Sequence, residues 1–189
     1  YRADDIRVQH FRSLGVPRFT LTVHGNRLYA RLGSPVTNFM RTNEVNYVLC
    51  LDLEAQGKLL WKIEPGGESW FFEGTPVSDG RFVYVGLRKG APSKPQAHVA
   101  CFDADTGRER WRRYIGGAES RTREIEADIT HNLLTLDRQT LYYNTNLGGI
   151  ASWSAVGGEF RWITGYERTA TLDLSDVQLS LSVVGMGPP

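Results

Sequence analysis

A glycine four residues before a tryptophan returns at a near-constant interval along this chain: Gly57 and Trp61, Gly107 and Trp111, Gly158 and Trp162. The tryptophans recur at intervals of 50 and 51 residues. A fixed period of that length marks repeated supersecondary units, stacked as a propeller or a solenoid, because one unit alone cannot cover its own apolar face. A large aromatic that returns at the same place in each unit is better explained by repeated packing than by three copies of a reactive site.

Each unit reads as four strands. In the second, GTPVSDGRFVYVG sets Asp79-Gly80 between two apolar-alternating runs, and Asp-Gly supplies the positive φ of a tight hairpin turn. LTVHGNRLYAR and LLTLDRQTLYYNT hold the matching places in the first and third units. Strands of the second unit are expected near 74–79, 81–87, 98–104 and 108–114. In the DADTG turn between the last two, Asp103 bonds nearby backbone and Gly107 takes a left-handed conformation. The units are expected over residues 15–63, 70–114 and 128–165. Residues 166–189 alternate as a strand pair would but lack the repeat signature, and are left unassigned.

FDADTGRERW resembles the tryptophan-docking signature of the pyrroloquinoline quinone (PQQ)-like β-propeller repeat family, Ala-x-Asp-x-x-x-Gly-Lys-x-x-Trp, with Arg108 in the place of Lys. LDLEAQGKLLW keeps Asp52, Gly57, Lys58 and Trp61 with one extra residue before the glycine. WSAVGGEFRW departs further, with Ser154 for Asp and Glu159 for Lys. The resemblance covers residues 15–165 and implies an all-β fold: about three four-stranded antiparallel blades of a larger or oligomer-completed β-propeller. Because catalytic and non-catalytic members share the signature, it speaks for architecture rather than activity. The function expected from the resemblance is a non-catalytic binding or scaffolding module without a cofactor, periplasmic or extracytoplasmic. The alternative is a fragment of a PQQ-dependent dehydrogenase whose cofactor site needs further blades.

Twenty-two basic against 21 acidic side chains give a net charge of +1, which offers no electrostatic case for nucleic acid or an anionic membrane. No run of 18 apolar residues is present to span a bilayer. The opening YRADDIRVQH reads as an internal cut rather than a leader. Asp52 and Asp103 occupy matching repeat positions and are expected to be turn residues, not catalytic carboxylates. Cys50 and Cys101 also match, on successive units too far apart for a disulfide, and are expected as buried thiols. His10, His24, His98 and His131 form no pair at ligand spacing. RERWRR carries Arg108, Arg110, Arg112 and Arg113 around Trp111. Strand alternation sends Trp111 to one side and Arg110 and Arg112 to the other, which reads as a solvated outer strand.

Length differences between the units fall in the loops joining the second and third strands, near 33–46, 88–97 and 145–148. In an antiparallel meander those loops leave on the same side as the connectors between units, so variation is confined to one end of the blades, where repeat proteins often bind. Phe39, Arg41, Trp70, Arg88, Lys89 and Lys94 are the candidate binding residues there. A protein partner or flanking blades is the expected partner, with a homodimer through open blade faces as one form of it.

Overall fold

The computed structural model describes residues 21–33, 46–90, 95–117, 134–145 and 147–166. They form three four-stranded antiparallel sheets. The first holds β1 (Leu21–His24), β2 (Arg27–Leu32), β3 (Tyr47–Asp52) and β4 (Lys58–Ile63), paired in chain order. The second holds β5 (Trp70–Ser78), β6 (Phe82–Lys89), β7 (Gln96–Asp103) and β8 (Glu109–Gly117). The third holds β9 (Leu134–Asp137), β10 (Thr140–Asn144), β11 (Gly149–Ser154) and β12 (Phe160–Gly165). Each sheet is a meander, as three propeller blades require, and the second sheet's strands fall within a few residues of their expected places.

Burial along the strands follows the position of each blade. In the middle blade β6 is buried from Phe82 to Arg88 and β7 from Ala97 to Phe102, because both faces are covered by neighbours. Continuous apolar runs such as FVYVGL suit that setting. In the third blade β10 alternates between buried and half-buried, and β12 is exposed throughout. One face of the middle blade places Val83, Val85, Leu87, Ala100 and Phe102 against Tyr29, Val48, Cys50 and Trp61 of the first. The other places Tyr84, Val99, Cys101 and Trp111 against Leu141, Tyr143, Ala151 and Trp153 of the third.

Polar groups close the seams between the first two blades. The Asn46 side chain donates to Phe72 O at 2.7 Å and accepts from Phe72 N at 2.9 Å, replacing a strand partner for β5. Arg31 Nε donates to Gly74 O at 2.7 Å, and Thr22 Oγ1 donates to Pro76 O. Cys50 and Cys101 are fully buried free thiols, and burial raises their pKa to about 11 and about 12.

Candidate functional site

The glycine and tryptophan of the repeat meet between blades rather than within one. Trp61 lies against the turn that carries Gly107, its Nε1 donating to Ala104 O at 3.0 Å. Trp111 lies in the same way against the turn of Gly158, its Nε1 donating to Val156 O at 3.2 Å. Both glycines hold positive φ, +68° and +69°, and a Cβ there would sit 2.9 and 2.7 Å from the tryptophan rings. Glycine is required twice over, for the turn and for the close approach. Arg113 reinforces the second contact by stacking on Trp111 and donating from Nε to Gly158 O at 3.0 Å.

Trp162 holds the same position in the third blade but is 43% exposed, against 8% for Trp61 and Trp111. Trp162→Ala is therefore expected to cost less than about 1 kcal/mol by urea unfolding at dilute protein, the range of ordinary surface changes. A loss near that of a buried tryptophan would show that something covers it.

The turn aspartates carry backbone bonds. Asp52 Oδ1 accepts from Glu54 N and Ala55 N. Asp103 Oδ1 accepts from Thr106 Oγ1, Thr106 N and Asp105 N, and the bond from the Thr106 hydroxyl leads the causes that hold its carboxyl below the usual range. Each is committed to its turn, the arrangement of an Asx motif.

Of the candidate binding residues, Phe39, Arg41 and Lys94 lie outside the described residues. Trp70 and Lys89 are brought together, opposite each other at the ends of β5 and β6, with Lys89 Nζ 5.2 Å from the Trp70 ring centre. Arg88 is not with them. One residue earlier in β6, it points to the other face, where it is 8% exposed, stacks on Phe71 and pairs with Glu73 at 3.6 Å. Tyr143 of the third blade donates to the same Glu73 at 3.4 Å, so this set of polar groups joins two blades. The period-2 alternation of β6 was the available signal that neighbouring Arg88 and Lys89 must part.

Three further residues complete the surface around Trp70 and were missed as members of it. The Arg112 guanidinium lies 4.5 Å from the Trp70 ring centre, the His98 ring meets Trp70 edge-on at 4.6 Å, and Tyr114 packs on His98 at 5.2 Å. Register explains the grouping, since Lys89 faces Trp70, His98 faces Tyr114, and Arg112 follows two residues before Tyr114 on the same side. Arg112 is held by Glu109 at 2.6 Å and by Pro65 O at 3.1 Å. The result is an aromatic ledge edged by cations, with Lys89 exposed and Tyr114 58% exposed. At the same end of the blades, a shallow cavity between the second and third is lined by Gly116, Gly117, Gly148 and Gly149 together with Ile115, Leu147 and Ile163.

Burial, then the charges of Arg112 and Lys89, lower the His98 pKa to about 4 from an ordinary 6.5. The unfolded chain therefore binds this proton more readily than the folded one. Its contribution to stability is complete above pH 6.5 and is lost as pH falls toward 4. In urea unfolding, His98→Gln is expected to flatten the pH dependence between 7 and 5, and an unchanged slope would contradict a buried neutral ring.

Among the described residues no three His, Cys, Asp or Glu side chains gather as a metal site. No curated protein matches the sequence. Among solved structures, the chain resembles a europium-containing methanol dehydrogenase with TM-score 0.55 and 16% identity, over 79% of this chain and 32% of that one. It resembles a quinohemoprotein alcohol dehydrogenase of Pseudomonas putida with TM-score 0.51 and 19% identity, over 77% of this chain and 26% of that one. It also resembles Sqt1 of Saccharomyces cerevisiae with TM-score 0.53 and 13% identity, over 82% and 36%. The chain thus spans well under half the length of each, and identities this low show the fold alone. The family model described as outer membrane protein assembly factor BamB matches residues 18–113 and again 44–177. With those overlapping matches across most of the sequence, and each docked tryptophan seated on the glycine turn of the following blade, the chain belongs to the PQQ-like β-propeller repeat family.

Proposed function

We infer that this chain is a non-catalytic propeller segment that binds protein, acting in an extracytoplasmic compartment as a scaffold. The observation that carries the reading is the ledge of Trp70, Lys89, Arg112 and Tyr114, backed by the buried His98 ring, at the blade end where loop lengths vary. Aromatic and arginine groups on a rigid strand end lose little side-chain freedom on binding and are the types that dominate protein interfaces. The cations select for an acidic segment with aromatic side chains of its own. Flanking blades or a second copy of the chain are partners of a different kind, reached through the blade faces.

The test is a fluorescence titration of the chain with a synthetic acidic peptide rich in Glu and Tyr. Trp70→Ala and Lys89→Glu are each expected to weaken binding by at least about fivefold, the effect of losing roughly 1 kcal/mol at an interface. Equal binding by both variants would sink the ledge. Quinone absorbance together with alcohol-dependent dye reduction, on adding PQQ and calcium to the protein, would overturn the non-catalytic reading in favour of a dehydrogenase fragment.

A further inference from the structure

We propose that Trp162 and the Gly57 turn are the two halves of a third docking contact, completed between two copies of the chain. This rests on the scaffold reading above and names one of its partners.

The contact is built twice inside the molecule, Trp61 on the Gly107 turn and Trp111 on the Gly158 turn, and each time the tryptophan belongs to one blade and the turn to the next. Gly57 closes the corresponding turn of the first blade, which is one residue longer. Its N–H donates to Asp52 O at 2.7 Å, as Gly107 does to Asp103 O and Gly158 to Ser154 O at 2.9 Å, and its φ is +80°. Yet a Cβ at Gly57 would meet nothing within 4 Å. Leu53, the residue after Asp52, is 43% exposed, whereas its counterparts Ala104 and Ala155 are 0% and 1% exposed beneath the docked blade edge. At the other end, Trp162 is free of any such turn among the described residues, with Phe160 and Ile163 exposed on either side of it in the strand.

The third blade therefore offers the tryptophan, and the first the glycine turn, that the internal contacts use. Each is the complement of the other, not of itself. A two-fold pair satisfies both at once: Trp162 of each copy seats on the Gly57 turn of its partner, and the pair closes on itself instead of extending as a filament. Occupation by a second copy follows because the same chain carries both halves, and among the described residues Leu53, Phe160, Trp162 and Ile163 expose apolar surface that such a contact would cover.

Native mass spectrometry and sedimentation velocity on the whole chain test this with Trp162→Ala and Gly57→Asn. Asparagine tolerates the left-handed conformation but fills the space a docking ring needs. Circular dichroism checks that both variants fold. The wild type is expected to be a dimer, and each variant to dimerise at least about tenfold more weakly, as loss of an aromatic anchor does. Mixed together, the two variants regain one intact contact, Trp162 of the Gly57→Asn copy on Gly57 of the Trp162→Ala copy. The heterodimer should therefore be tighter than either variant homodimer. A wild-type monomer whose Trp162 is shielded from acrylamide quenching would assign the covering to the chain's own segments and overturn the proposal. A dimer insensitive to both substitutions, or variants that show no preference for each other, would overturn it as well. The ledge is a separate surface: a monomer that still binds the acidic peptide leaves the scaffold reading intact, and a dimer that does not bind it defeats only the ledge.

Discussion

Replacing Trp111 with alanine is expected to destabilise the protein by about 3–5 kcal/mol, the cost of emptying a site filled by a large buried aromatic. The ring is 8% exposed, packs against Tyr84 at 6.1 Å, carries the Arg113 guanidinium on its face and donates to Val156 O. Its loss removes transfer energy and leaves a void that cannot readily collapse. On one side the Gly158 turn is fixed by its own bond to Ser154 O, and on the other Cys101 lies in the ladder of β7. The void also opens the seam between the second and third blades, where Tyr84, Val99 and Cys101 meet Leu141, Tyr143 and Trp153. Urea unfolding at constant m-value measures the effect. A loss below about 1 kcal/mol would place Trp111 among ordinary surface positions and contradict its docking role.

The repeat told most of the fold. Period, hairpin turns and the glycine-to-tryptophan spacing pointed to four-stranded units, and the twelve strands of the described residues lie in three such sheets, because these features depend on local chemistry that recurs. What lies between the units was less legible. Gly107 stands four residues before Trp111, and the short spacing invites pairing those two. The ring that crowds Gly107 is instead Trp61, from the blade before, a contact that follows from how the sheets stack. The candidate site was legible in part for a similar reason. Loop length pointed to the strand ends where Trp70 and Lys89 meet, but Arg88 goes to the opposite face and finds Glu73 there. His98, Arg112 and Tyr114 escaped notice as a group because three different strand positions converge only once the register of β7 with β8 is known.

The two open halves also make a sharp prediction about the glycines. Gly57 and Gly107 share a left-handed backbone, so alanine at either position pays the conformational penalty of about 1–2 kcal/mol. At Gly57 that should be the whole cost, since its Cβ would enter open space. At Gly107 the Cβ would lie 2.9 Å from Trp61 Cδ2, and the ring cannot retreat without breaking its bond to Ala104 O and disturbing Tyr29 at 5.9 Å. Overpacking of this sort adds about 1–3 kcal/mol. Gly107→Ala should thus destabilise by about 2–5 kcal/mol in total, and unfolding curves for the pair of variants at dilute protein measure the gap. Equal losses would mean that the close approach of Trp61 has no energetic weight. If the chain pairs through Trp162 and Gly57, the gap has a second property: it should narrow as protein concentration rises, because the Gly57 turn then acquires a docked ring and its alanine variant forfeits the stabilisation that association supplies.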